Sequence, residues 1–209
     1  MTHLIVIRHG QSVANKEDKF AGHSDFDLSD LGRRQAELAA EYIKERFTVD
    51  AAYASDLLRA YNTAVPTAKA FGVEVIPSKE LREIYAGVWE GMPFPEVAEK
   101  YPEEFVNWRD NFEGAYCPEG ETVREVRDRV VKEVRRIAEA HDGKTVLIAA
   151  HATPVRAIHC EANDKCDSYV GNASINLFDY VDGRFIEIET GIVEHLGDLK
   201  TFLPASLEK

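Results

Sequence analysis

The chain has 209 residues, 44% of them hydrophobic and 30% charged, the proportions of a globular protein long enough to bury a core unaided. Its net charge of -12, from 37 acidic and 25 basic residues, makes the average surface repel nucleic acid and anionic lipid. No apolar run approaches the roughly 18 residues of a membrane span, and residues 1–7 lack a basic n-region, so a cytoplasmic protein with no membrane or nucleic-acid partner is expected.

Residues 3–8 form a short apolar run closed by Arg8, His9 and Gly10, as expected of a strand buried on both faces. Ser29 can cap a helix with Leu31, Leu38, Tyr42 and Ile43 at helical spacing. Residues 51–54 make a second strand, with Ser55 as the expected cap of the next helix. Pro66 lies inside that helix and should kink or restart it, since it offers no N–H to Asn62. Residues 73–77 read as a third strand.

Between 93 and 120, Pro, Glu and aromatic residues mix with weak periodicity, which predicts a small helical insertion or lid on a single domain spanning 1–209. Phe94, Tyr101, Phe105, Trp108, Phe112 and Tyr116 are expected to pack that lobe, with lining of a substrate pocket by a few of them as the alternative. Thr122 and Glu125 then form a capping box. Val123, Val126, Val130, Val134 and Ile137 line one face of the helix that follows, and it should stop near Gly143. Residues 144–150 are the most apolar strand and end at His151. Asp182-Gly183 between residues 174–181 and 184–192 signals a type I′ hairpin.

Strands alternating with helices and closed by one hairpin predict a three-layer α/β/α sandwich: a mostly parallel sheet with one antiparallel edge strand. The cysteines Cys117, Cys160 and Cys166 match no zinc spacing and are expected to be thiols. His159 with Cys160 and Cys166 reads as a polar helix face rather than a metal site, and His3, His23, His141 and His195 as surface or packing residues, His23 being near enough to Gly22 to reach a pocket mouth.

In such sheets a ligand site lies beyond the carboxyl ends of the strands. There the sequence places Arg8, His9 and Gly10, then His151, with Arg59 on the helix after the second strand. Two guanidiniums can grip a phosphoryl group bidentately and keep an intervening histidine neutral and nucleophilic. Gly10 would let the backbone approach the anion. A second histidine could donate to the oxygens as charge shifts. Glu83 is a candidate to protonate the leaving oxygen, with Glu80 and Glu90 nearby as competitors. Fixed cations of this kind need no metal or other cofactor.

Arg8-His9-Gly10-Gln11-Ser12-Val13-Ala14-Asn15 resembles the signature of the histidine phosphatase superfamily, in its phosphoglycerate mutase-like branch. The resemblance continues in order through Gly22, Ser29 and Gln35, then Ser55 to Ala60 with Arg59, then Glu83, Gly87 and Trp89-Glu90-Gly91. It ends with Pro118 to Thr122, His151 with Arg156, and Asn172-Ala173-Ser174. The resemblance implies His9 as the nucleophile carrying a phosphohistidine, with Arg8, Arg59 and His151 completing the phosphate pocket. It implies substrate contacts from Asn15, Gly22 and the Ala152 backbone, and Glu83 as acid and then base. Ala152 departs from the glycine frequent at that position, and Asp27 from a proline.

The expected activity is hydrolysis of a small phosphorylated metabolite, metal-independent; a homodimer is left open. Between 93 and 120 the only basic residues are Lys100 and Arg109, which favours hydrolysis over the alternative of a phosphoglycerate mutase. A non-catalytic phosphate-binding protein is the third possibility, and it would gain if Glu83 lay far from the pocket.

Overall fold

In the computed structural model, which describes residues 1–163 and 170–201, the chain runs in order through thirteen helices and strands. These are β1 Thr2–Arg8, α1 Val13–Lys16, α2 Asp30–Arg46, β2 Ala51–Ser55, α3 Leu58–Phe71, β3 Val75–Ser78, α4 Phe94–Lys100, α5 Pro102–Asp110, α6 Val123–Ala140, β4 Thr145–Ala150, α7 Ala152–Asn163, β5 Ile175–Val181 and β6 Arg184–Ile192. The six strands form one sheet in the order β3-β2-β4-β1-β5-β6. β1 pairs in parallel with β4, and β4 with β2. β5 runs against the rest, and β6 turns back beside it. Asp182 and Gly183 both take positive φ at that turn, as the type I′ geometry requires.

The continuous apolar text of β1 and β4 follows from burial on both faces. Leu4, Val6, Val146 and Ile148 join a core with Val126, Val130 and Val134 of α6 and Ile158 of α7. Ile5, Ile7, Leu147 and Ala149 join the opposite core with Ala39 and Ile43 of α2 and Ala64 and Ala68 of α3. Each fully buried Leu or Ile contributes about 2 kcal/mol, so a one-residue slip of β1 would lose its register energy on both sides. The result is the expected three-layer sandwich.

Four local expectations are corrected. α2 buries Gly32, Gln35, Ala36, Ala39, Ala40 and Ile43 rather than Leu31, Leu38 and Tyr42, because small residues let it lie close against α3 and the β1 loop. Ser55 stays in β2; α3 starts after Leu57 without a side-chain cap, and Asp25 Oδ1 accepts from Leu58 N at 2.7 Å instead. α3 runs unbroken through Pro66, held by Thr63, Ala64, Thr67 and Ala68, which are buried on either side of it. Cys160 is disulfide-bonded, whereas Cys117 is a buried free thiol; Cys166 lies outside the described residues.

The 93–120 segment contains α4 and α5; as expected its aromatics pack the lobe, Trp108 stacking on Phe94 and on Phe105 with centroids 6.3 Å apart in each pair, and a further ring comes from outside it. Phe20, from the loop between α1 and α2, packs edge to face on Phe94 at 4.5 Å and Trp108 at 4.9 Å and tilted against Trp89 at 5.0 Å. Thr122 and Glu125 form the capping box of α6 as expected. Among the described residues, no helix is long and apolar enough to cross a membrane.

Candidate active site

The carboxyl ends of β1 and β4 are adjacent, so the residues that follow them meet. The rings of His9 and His151 lie 5.1 Å apart, edge to face, and are 3% and 0% exposed. His9 is fixed at its backbone by Ala150 O, which accepts from His9 N at 2.9 Å, and by Ala173 N and Asn172 Nδ2, which donate to His9 O. Its Nδ1–H donates to Gly10 O at 2.7 Å. That bond sets the tautomer and leaves Nε2 with its lone pair.

Arg59, fully buried at the start of α3, donates from Nη1 to Ser24 O at 2.9 Å and from Nη2 to Gly22 O at 2.7 Å. Burial pulls its pKa down to about 10, against the opposing charges of Glu83, Asp25 and Glu90, so it remains a cation at neutral pH. Arg8 is half-buried and donates to Val170 O at 2.5 Å. Burial first, then the charges of Arg59 and Arg8, hold His9 well below its ordinary value. Burial and Arg59 do the same to His151, with His9, Arg8 and Arg129 adding to it. Both imidazoles are therefore neutral. Neither nitrogen of His151, nor Nε of Arg59, has a protein partner among the described residues. Such orphaned buried polar groups cost about 1–3 kcal/mol each, and the N–H of Arg59 Nε and the one N–H of neutral His151 suit an anion that would take them up.

Glu83 lies at this site rather than away from it. Its Oε1 accepts from Thr153 N in the first turn of α7 at 3.2 Å and from Ile84 N at 3.0 Å. No protein donor reaches Oε2 among the described residues. Glu90, its competitor, is occupied: its carboxylate accepts from His23 N, Ser24 N, Ser24 Oγ and Ala86 N. It thereby holds the 22–24 loop whose carbonyls grip Arg59.

The remaining expected residues fall close by with particular duties. Asn15 Oδ1 accepts from Ser12 N, Ser12 Oγ and Asn172 Nδ2, and among the described residues no acceptor takes up its Nδ2. Gly22 supports Arg59 through its carbonyl; it has φ +46°, and a Cβ there would sit 1.9 Å from Glu90 Oε1. Ala152 opens α7 beside His151. Gly10 is explained differently from the expectation: a Cβ would lie 2.5 Å from Gly32 O, so its small size admits α2, while its N–H donates to Thr63 Oγ1. His23 reaches the mouth, donating from Nε2 to Glu83 O at 2.8 Å. Sequence reasoning missed Phe20 as the anchor of the lobe and Asn172 as the link between His9 and Asn15.

The family description "Histidine phosphatase superfamily (branch 1)" matches residues 4–191. Phosphoserine phosphatase 1 of Hydrogenobacter thermophilus is 33% identical over 207 residues, covering 95% of this chain and 96% of that protein. A metal-independent phosphoserine phosphatase of Arabidopsis thaliana is 30% identical over 202 residues, 95% of this chain and 85% of that one. A mycobacterial glucosyl-3-phosphoglycerate phosphatase, solved in complex with VO3, superimposes with a TM-score of 0.84 at 27% identity, covering 91% of this chain and 99% of that one.

Proposed function

The chain belongs to the histidine phosphatase superfamily, branch 1, and from that premise we propose that it is a metal-independent phosphomonoesterase acting through a phosphohistidine on His9. The observation that carries the reading is the Nδ1–H bond to Gly10 O, which turns a buried neutral Nε2 toward nucleophilic work between two guanidiniums.

In the first step the Nε2 lone pair attacks phosphorus while the P–O ester bond breaks, and Glu83 gives its proton to the departing oxygen. Arg8, Arg59 and His151 hold the non-bridging oxygens, with the Asn15 amide and the backbone at Ala152 as further donors and Gly22 supporting Arg59. In the second step water attacks phosphorus, its proton passes to Glu83, and the N–P bond breaks to release phosphate. Orientation and fixed positive charge supply the catalysis.

The phosphoserine phosphatases among the relatives support a small phosphorylated metabolite as substrate. Within the 93–120 lobe Lys100 pairs with Glu96 and Arg109 with Asp110, which supports hydrolysis over transfer to a second phosphate locus. On this reading residues 1–209 form a single domain, with the 93–120 segment as a small helical insertion or lid. Composition supports a cytoplasmic setting, and the Cys160 disulfide is the feature that runs against it.

The test is hydrolysis of p-nitrophenyl phosphate by wild type and His9→Ala, with and without EDTA. Chelator-resistant turnover abolished by the substitution is expected. Activity that needs a divalent metal, or that survives in His9→Ala, would overturn the proposal, and phosphoglycerate interconversion without hydrolysis would make the protein a mutase.

A further inference from the structure

Arg129 stands one layer behind the reacting groups, on α6, with its side chain 15% exposed. A guanidinium has five N–H donors, and here five hydrogen bonds leave it. Nε donates to Glu121 Oε1 at 2.9 Å and Nη2 to Glu121 Oε2 at 2.9 Å. Nη1 donates to Glu80 O at 2.8 Å and Arg82 O at 2.7 Å, and Nη2 also to Glu83 O at 2.8 Å. Three of those acceptors belong to the stretch that carries Glu83, Glu80 in the 3-10 turn Lys79–Leu81 and Arg82 and Glu83 just after it, where no sheet ladder pairs them. Glu121 extends the brace, since its carboxylate accepts from Tyr85 N at 2.8 Å and its own N–H donates to Tyr85 O at 2.9 Å. Residues 80, 82, 83 and 85 are thus all tied to one fully engaged guanidinium and its carboxylate partner. On the opposite side Arg82 forms a bidentate pair with Asp56, both bonds 2.6 Å.

We infer that Arg129 is a positioning residue for proton transfer: by binding the backbone carbonyls of Glu80, Arg82 and Glu83 it sets the Glu83 carboxyl against the first turn of α7 and the leaving oxygen. The inference rests on the reading of Glu83 as the proton donor. Arg129 makes no hydrogen bond to His9 or to the Glu83 carboxyl, so its removal leaves the contacts of the nucleophile in place, and Arg129→Lys keeps the charge that bears on His151. What changes is the distance over which the proton moves, and catalysis is steeply sensitive to such displacement.

The leaving group separates this role from a merely structural one. A nitrophenolate departs with little help, whereas an alkoxide needs its proton in the transition state. The measurement is kcat/KM, which reports phosphoryl transfer to the enzyme, for p-nitrophenyl phosphate and for an alkyl monoester. The alkyl substrate is O-phosphoserine or β-glycerophosphate, whichever the wild type turns over faster. Arg129→Met, Arg129→Lys and Glu83→Gln are compared, with circular dichroism and thermal melts confirming the fold.

Arg129→Met is expected to lose on the order of 100-fold on the alkyl ester and less than about 5-fold on the nitrophenyl ester. Arg129→Lys, which keeps the charge but cannot reach all five acceptors, is expected to lose less with the same selectivity; it carries the test should the Met variant fail to fold. Selective losses that parallel Glu83→Gln support the inference. Equal losses on both esters, or none, in the Arg129 variants while Glu83→Gln remains selective would overturn the inference alone. Equal losses in Glu83→Gln itself would overturn the reading of Glu83, and the inference with it.

Discussion

His9 and His151 are held neutral inside a cationic pocket, and that makes the stability of the protein depend on pH in a way that can be assigned to them. In the folded chain both pKa values are depressed, by burial first and then by Arg59 and its neighbours. In the unfolded chain each imidazole titrates near its ordinary value of about 6.5. The unfolded state therefore takes up protons that the folded state refuses, and stability falls as pH drops through and below about 6.5. One unit below that value each histidine that stays neutral in the fold costs about 1.4 kcal/mol, so the pair costs up to roughly 3 kcal/mol between about pH 7.5 and about pH 5.5. Urea unfolding at the two pH values, in phosphate-free buffer, measures this directly for wild type, His9→Gln and His151→Gln. Each variant is expected to lose up to about 1.4 kcal/mol less than wild type over the interval. His141 and His195 are also depressed by burial, but they titrate in all three proteins and cancel in the difference. Variants with the same pH slope as wild type would refute the neutral, cation-flanked histidine pair.

Two substitutions test the supports of the pocket. Arg59→Met removes a charge buried at 0% exposure with two backbone carbonyls on it; kcat/KM should fall by on the order of 100-fold or more, because each charge-assisted hydrogen bond is worth about 1.5–3 kcal/mol. The urea midpoint should fall as well, since the Gly22 and Ser24 carbonyls lose their donors and each orphaned acceptor costs about 1–3 kcal/mol; steady-state kinetics beside unfolding curves checks both losses, and an unchanged midpoint would show that those carbonyls find other partners. Gly10→Ala puts a Cβ 2.5 Å from Gly32 O and should destabilise the fold by about 1–3 kcal/mol through overpacking; an unchanged thermal melt would show that α2 yields without cost.

Much of the site was legible because its chemistry is written in short contiguous runs at strand ends. Arg8-His9-Gly10 closes β1 and His151 closes β4, and a parallel pair of neighbours brings such ends together. The Thr122–Glu125 capping box is local for the same reason, needing residues only three apart. The supports were harder to read because they act through the backbone or across long separations. Arg129 binds carbonyls of residues 46 to 49 positions away, and a carbonyl carries no sequence signature. Asn172 reaches His9 and Asn15 from the other end of the chain. The buried face of α2 was misassigned because alanines and Gly32, not its larger apolar residues, fit beneath the β1 loop. Ser55 has the chemistry of a cap, but the demand for a fifth residue in β2 overrode it, and Asp25 serves from a distance.

The whole reaction turns on a covalent intermediate on His9. The most direct measurement is rapid quench of the enzyme during turnover of a phosphorus-labelled monoester, followed by peptide mapping under alkaline conditions that preserve a phosphoramidate. The expected result is one phosphoryl group on the peptide containing His9, formed at the rate of the first product's release and absent from His9→Ala. Label on a hydroxyl or carboxylate side chain, or a burst of product with no label on His9, would contradict it.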